Sequence, residues 1–560
     1  AIATVTESRY NPFSASTMST KQEVYFIGVD VGSGSVRAAL VNENGHVLKC
    51  SVKELRTWKP KQDYYEQSSD DIWDSAVQVI NVSQLDTYLV KGIGFDATCS
   101  LVALDKNKKP LAVSDSDNNE QNVIMWMDHR AQAEADFINK TNHEILKYVG
   151  GKVSLEMEMP KLLWLKKHLK SKWSDFGHFF DLPDFLTWKA TGCSSRSLCS
   201  LVCKWNYECS IDGKQSWNLN FLSEIGLEDL AENNFEKIGD VVLMPGDKCG
   251  GLTVRVATML GLYPDTPVAT SIIDAHAGGL GMIGTRGENI ETAMSSRLSL
   301  ICGTSTCHMA VNLEPVLVEG IWGPYFSAMV PYMWLNEAGQ SASGMLLDHV
   351  ISSHPAGIEL LKSKNTGEVR NHLRQILKEM ANRQGLSDIS LLAKDFHVWP
   401  DFHGNRSPLA DPNMTGMISG LTINSSEENL ALLYLATLQG LSYGTRHIID
   451  ALVKAGYKPF NSLLICGGIT KDPLFVQIQA DSVGLPILKP EQKDSVLVGS
   501  AILGACASQH FRNIQEAIQS MGGVAEVIKA NDNIKAFHDK KYRVFLRMFQ
   551  DQLQYRAIMH

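Results

Sequence analysis

At 560 residues, with 44% hydrophobic and 20% charged content, the chain is too long for one ordinary core and too apolar for a disordered one; two domains are expected, with room for a third. A net charge of -9 gives no electrostatic basis for a nucleic-acid or acidic-membrane partner, because phosphate backbones demand clustered Lys and Arg, so a small-molecule ligand fits better. No run of about 18 apolar residues occurs, which excludes a transmembrane helix by length.

Residues 1–23 read as a polar flexible tail: they are rich in Ser, Thr and Ala, contain Glu7 beside Arg9, and place Met18 just ahead of the first strand pattern, so no targeting peptide is expected. Val24–Val29 is an apolar β-branched run, followed by the turn Asp30-Val31-Gly32-Ser33-Gly34-Ser35 and a second run, Val36–Val41. Asn42–Gly45 is a further turn and Val47–Val52 a third strand. A helix over Asp70–Asn81 and a buried strand near Gly92–Phe95 follow, and this order predicts an α/β fold with a mixed sheet. A short helix ending at Gly261, then Pro264 and Pro267, then the strand Val268–Ile273, place a domain junction near residue 267, dividing the chain into 24–267 and 268–560.

The second half opens on the same local design, with Leu298–Ile301, the turn Gly303-Thr304-Ser305-Thr306 and Cys307–Val311. Residues 355–395 read as a polar helical insertion in which Lys and Arg recur without a strong apolar stripe. Ser425-Ser426-Glu427-Glu428 starts a long amphipathic helix bearing Leu430, Leu433, Leu438 and Leu441, and the strand Ser462–Cys466 leads through Gly467-Gly468 to a helix from about Asp472.

Eleven cysteines, scattered from Cys50 to Cys506, lack the spacing of a secreted disulfide scaffold and point to a reduced, cytoplasmic protein. The tightest group, Cys193, Cys199, Cys203 and Cys209, has no C-x-x-C pair and no nearby His, so buried thiols are expected there rather than zinc ligands. His129, His276 and His403 have no metal-ligand spacing either and read as structural.

Gly32 and Gly34 sit between two strands, whereas a dinucleotide fingerprint or a P-loop would run from strand into helix. A β-turn can still cradle phosphate through converging N–H groups, with Ser33 and Ser35 adding hydroxyl donors and Arg37 a fixed charge. Asp30 at the strand end is then placed to hold Mg²⁺ through water. A lone turn of this kind is more often an ordinary hairpin. A second small, hydroxyl-rich turn at Gly303-Thr304-Ser305, and the Gly467-Gly468 pair where a flat adenine or ribose can approach backbone, make a nucleotide clamp the better reading. Asp274, at a strand end ahead of Ala275 and Gly278-Gly279, suits a general base facing the junction, with helix N-capping as the plainer alternative. Lys204 lies among Leu201, Val202, Cys203 and Trp205, where a charge is costly without a partner, and joins Glu337, Asp96 and Asp128 as polar-pocket candidates. For Asp128, a structural pair with Arg130 is an equal alternative.

From about Val24 to Ser508 the chain resembles the FGGY family of carbohydrate kinases, on Asp30–Arg37, Trp126-Met127-Asp128-His129-Arg130, Lys161–Leu165, Asp274–Gly278, Gly303–Ser305 and Gly467–Pro473. Glu158 departs from the pattern, where the family commonly has a small or hydroxyl residue. The resemblance implies two actin-like (ribonuclease H-like) ATPase domains with mixed sheets flanking a central cleft that closes on the substrate. It implies ATP and Mg²⁺ as cofactors, Asp274 as catalytic base and shared metal ligand with Asp30, and an ATP site that includes Asp472. Stretches resembling the ribulokinases, Gly94–Ser100 with Asp96, Ala97, Thr98 and Cys99, then Lys204 and Glu337–Ser341, imply a sugar pocket and a free ketopentose, D-ribulose ahead of L-ribulose, D-xylulose and glycerol. The alternative from another class is a non-enzymatic nucleotide switch of the same fold. Homo-oligomerisation is left open.

Overall fold

The structure, a computed structural model, describes residues 23–83, 89–209, 212–492 and 494–559. The expected tail therefore lies outside the described residues except for Glu23.

Two seven-stranded mixed sheets organise the chain. In the first, Tyr25–Val31 is buried throughout and lies centrally, antiparallel to Ser35–Asn42 and parallel to Val90–Ala97. An apolar run buried on both faces is what a central strand requires. Val47–Glu54 alternates half-buried with exposed residues because it is the edge. The second sheet repeats the plan: Arg297–Cys302 is antiparallel to Thr306–Asn312 and parallel to Ser462–Cys466. The two hairpins and both parallel partners stand where the apolar runs predict them.

At residue 267, where the junction is expected, the chain is within the first sheet. Pro267–Ala269 and Ile272–Ile273 both pair with Val90–Ala97, so the first sheet keeps the chain to residue 273, and the helix Asp274–Ile283 begins at once. Pro264 lies in the turn that follows the helix ending at Gly261, and Pro267 opens the strand Pro267–Ala269. The insertion at 355–395 also differs from its polar reading. Its main helix, Thr366–Arg383, buries Val369, Leu373, Leu377 and Met380 on one face and packs against the long helix Glu427–Ala455.

Late in the chain, the helix Ser495–Ala507 crosses back onto the first sheet and packs against Asp274–Ile283. The helices meet backbone to backbone: a Cβ added at Gly499 would lie 1.9 Å from the Ala277 carbonyl oxygen. Neither helix can yield locally, so Gly499→Val is expected to cost at least the ~1–3 kcal/mol of an overpacked core. A thermal melt checks this; an unchanged Tm would show that the helices do not cross as closely as described.

All eleven cysteines are unpaired. Of the group expected to be buried thiols, Cys199, Cys203 and Cys209 are buried, but Cys193 is exposed at the end of a helix capped by Gly192. No helix among the described residues is long and apolar enough to cross a membrane.

Candidate functional site

The strand register builds one end of the site. Asp30 lies opposite Asp96 on the parallel neighbour, Ile273 lies opposite Ala97, and Asp274 follows immediately, so three adjacent strands finish in three carboxylates. Such a cluster is costly unless cations enter it. Arg37, on the hairpin partner of Asp30, supplies one: its Nε donates to Asp30 Oδ2 at 2.9 Å, Nη2 donates to the same oxygen, and Nη1 reaches Asp494 at 3.4 Å. Asp96 is fully buried. It accepts from Ser500 Oγ, while its other oxygen has no hydrogen-bond partner. Burial, reinforced by Asp30 and Asp274, holds the Asp96 carboxyl well above its ordinary range. Burial and then Asp30 push Asp274 up to about 7, against the Ala275 amide that donates to its Oδ1 at 2.7 Å and the pull of Lys204. Asp274 is the first residue of its helix and not its N-cap, which is Ile273 with no side-chain capping bond, so the capping alternative does not hold; part of its surface stays open and its field is that of the carboxylate cluster.

The phosphate-turn candidates stand at the matching ends of both sheets. In the first turn, Trp126 Nε1 donates to Ser33 Oγ at 2.8 Å, Gln67 Nε2 donates to the Ser33 carbonyl, and Gly32, Gly34 and Ser35 close the hairpin. In the second, Gly303 and Thr304 are exposed and Ser305 half-buried, held from behind by the amides of Ser343, Gly344 and Met345. Gly467 has φ +105°, and a Cβ there would meet the Cys302 carbonyl at 2.2 Å, so only glycine lets this turn lie against the strand that ends in the second phosphate turn. Gly468 beside it has open space where a side chain would be. Arg37 acts electrostatically on the Cys466 thiol at the end of Ser462–Cys466, which links the first turn to the glycine pair.

Next to Asp274 lies a buried ion network. Lys204 is 3.7 Å from both Glu156 and Glu337 and sits 4.3 Å over the Trp322 ring. Burial alone would lower the Lys204 pKa, but Glu337, Cys99 and Glu156 hold it well above the ordinary value. Glu156 also accepts from Arg406 Nη2 at 2.6 Å, an ion pair between the two halves of the chain. Burial opposes ionisation of Glu156, yet Arg406, Lys204 and Lys161 keep its carboxyl below the ordinary range. Ala97, Thr98 and Cys99 are buried at the end of their strand, where the Thr98 hydroxyl pairs with Ser100 and the Cys99 thiol feels Lys204.

Two expected site residues are held by other protein groups. Asp128 accepts from the Tyr65 amide and is paired with Arg130, which also reaches Glu66, so the pair given as its structural alternative is present. Asp472 caps the helix Pro473–Val483, accepts from Tyr434 Oη at 2.6 Å and pairs with Arg374, contacts that brace the end of the Gly467-Gly468 turn. Glu158, the departure from the family pattern, forms a buried pair with Lys161 at 3.2 Å. Glu156, Trp322 and Arg406 join the site without having been expected there. The one sequence signal is a charge at Glu156 flanked by Leu155 and Met157.

Residues 25–281 match the FGGY family of carbohydrate kinases, N-terminal domain, and residues 298–508 the C-terminal domain. An FGGY carbohydrate kinase domain-containing protein from Homo sapiens is 48% identical over 549 residues, covering 96% of this chain and 98% of that protein. A D-ribulokinase from Saccharomyces cerevisiae is 39% identical over 522 residues, covering 88% of this chain and 73% of that protein. Among solved structures, the xylulose kinase from Rhodospirillum rubrum superimposes with a TM-score of 0.76 at 17% identity, covering 95% of this chain and 99% of that one, which shows the shared two-domain actin-like fold. The Plasmodium falciparum glycerol kinase with ADP gives a TM-score of 0.71 at 15% identity over 94% of this chain and 98% of that one. With both family domains matched across most of its length, the chain belongs to the FGGY family of carbohydrate kinases, phosphotransferases that carry a phosphoryl group from ATP to an alcohol group of a sugar.

Proposed function

We propose that this kinase phosphorylates the terminal hydroxyl of a free ketopentose, D-ribulose foremost, giving D-ribulose 5-phosphate. The observation that carries the reading is the meeting of Asp274 with two environments at once, the carboxylates Asp30 and Asp96 on one side and the Lys204–Glu337 pair on the other. The first suits a metal-bound phosphate and the second a polyhydroxyl substrate. The similarity to a D-ribulokinase over most of the chain supports the ketopentose class. L-ribulose and D-xylulose are the nearest alternatives. Membership in a family of phosphotransferases sets aside the non-enzymatic switch.

In this reading Asp274 takes the proton of the attacking hydroxyl as its oxygen bonds to the γ-phosphorus and ADP leaves. An acidity near 7 is matched to that task. The turns at Gly32–Ser35 and Gly303–Ser305 hold the phosphates with Arg37, and Gly467-Gly468 admits the adenosine. The donor set fits Mg²⁺: Asp30 and Asp274 offer hard carboxylate oxygens, in a cluster where burial and neighbouring carboxylates raise the pKa of both Asp96 and Asp274. When bound, Mg²⁺ neutralises charge developing on the phosphate oxygens. Lys204, Glu337, Glu156 and Arg406 bind and orient the sugar hydroxyls. The Glu156–Arg406 pair joins the halves across the pocket, which favours closure over the bound sugar and exclusion of water. The scattered unpaired cysteines accord with a cytoplasmic site of action.

A coupled ADP-release assay over D-ribulose, L-ribulose, D-xylulose, ribitol and glycerol tests the substrate. D-ribulose is expected to give the highest kcat/KM, since a site that hydrogen-bonds a hydroxyl rejects an analogue lacking it by orders of magnitude. Glycerol or ribitol at the top of the ranking would refute the ketopentose assignment.

A further inference from the structure

The helix Leu198–Lys204 carries Cys199 and Cys203 four residues apart, which sets both thiols on one face. That face meets the helix Asp274–Ile283, and His276 Nε2 lies 3.5 Å from Cys203 Sγ. The two sulfurs and the ring nitrogen fall within 4.8 Å of one another, and all three residues are buried. The histidine missing from the local sequence around these cysteines is thus supplied from 73 residues away. Outside this three-atom cluster, on its histidine side, Glu337 Oε2 is 3.5 Å from His276 Nε2 and has no hydrogen-bond partner, while Oε1 faces Lys204, so Glu337 would have to swing in as a fourth ligand. A buried carboxylate oxygen left without a donor points to a partner that the protein alone does not supply.

We propose that Cys199, Cys203, His276 and Glu337 form a reversible zinc site that competes with the sugar. Two sulfurs, one imidazole and one carboxylate are a donor set for four-coordinate zinc, whereas Mg²⁺ selects oxygen ligands. Charge balance favours occupancy. Zinc displaces the two thiol protons to solvent, so its two positive charges replace theirs and the buried cluster, with Lys204 and Glu337 already cancelling, gains no net charge. The site is built for exchange rather than for holding the fold together. His276 Nδ1 lacks the carboxylate or carbonyl partner that fixes structural zinc histidines, and the core around it closes with neutral thiols. A metal on Oε2 pins Glu337 and draws its charge away from Lys204. The competition with sugar therefore rests on the assignment of Lys204 and Glu337 to the sugar pocket, whereas the metal site does not.

The test is a cobalt titration of the full-length, metal-stripped kinase. The expected result is one Co²⁺ per chain with a thiolate-to-cobalt charge-transfer band and the visible bands of four-coordinate cobalt, displaced by Zn²⁺. Cys209→Ser should keep the bands, and Cys199→Ser and Cys203→Ser should lose them. Should those two variants fail to fold, X-ray absorption of zinc-loaded wild type decides the same point: two sulfurs at about 2.3 Å with nitrogen or oxygen at about 2.0 Å support the site. Absence of a thiolate band, or a shell without sulfur, overturns it. The sugar ranked first in the substrate panel is then added to cobalt-loaded protein. It should bleach the bands, and Zn²⁺ should raise the KM for that sugar and not for MgATP. Bands indifferent to saturating sugar overturn the competition while leaving the ranking of sugars in the ADP-release assay untouched.

Discussion

Asp274→Asn is expected to lower turnover by about 10²–10⁴-fold while leaving nucleotide affinity within a small factor of wild type. The amide keeps the shape and the contact with the Ala275 amide, so folding should be spared. It cannot take the hydroxyl proton. Because transfer needs the carboxylate and burial with Asp30 raises its pKa to about 7, wild-type kcat/KM should fall as pH drops through and below that region, with bound Mg²⁺ drawing the limb lower. The variant should lack this limb. Steady-state kinetics against pH, with ADP binding by calorimetry, checks both points. Near-normal turnover in the variant would remove Asp274 from the role of base.

Lys204→Met has the second large effect, and it should fall on both sugar binding and stability. Lys204 is 2% exposed beside Glu337 at 4%, and removing one partner of a buried pair leaves the other charged and unmatched, at a cost of ~3–5 kcal/mol. A hydrogen bond to a charged group contributes ~1.5–3 kcal/mol, so the kcat/KM for sugar should also fall by about 10- to 100-fold, mainly through KM. Measured on protein kept cold enough to stay folded, KM for ATP should change little. Equal losses for sugar and ATP would mean that Lys204 holds the cleft together rather than reading the sugar.

What is legible in the sequence depends on how local each signal is. The two hairpins are readable because an apolar β-branched run, a small-residue turn and a second run are contiguous, and both sheets contain them as expected. Lys204 is readable because a charge inside an apolar helix is anomalous wherever its partner lies. For Asp128 the pair with Arg130 is legible at a spacing of two residues, whereas Glu66 beyond Arg130, and Tyr434 and Arg374 around Asp472, are far away in the chain and are not. Glu156 and Arg406 escape notice because they matter only once the two halves meet. The crossing of Ser495–Ala507 onto the first sheet, and the closeness of His276 to Cys203, are likewise properties of topology. The stripe Val369, Leu373, Leu377 and Met380 is present at helical spacing but masked by the intervening Arg370, Arg374 and Lys378.

The mechanism depends above all on one carboxylate facing both the phosphate turns and the sugar network. A crystal structure with D-ribulose and a non-hydrolysable ATP analogue puts this to the proof. The terminal sugar oxygen should lie within about 2.6–3.2 Å of an Asp274 oxygen, the reach of a general base, with Lys204 and Glu337 on the other hydroxyls and the γ-phosphate between the turns at Gly32–Ser35 and Gly303–Ser305. A sugar bound away from Lys204, or an Asp274 carboxylate turned from the terminal hydroxyl in the closed complex, would contradict it.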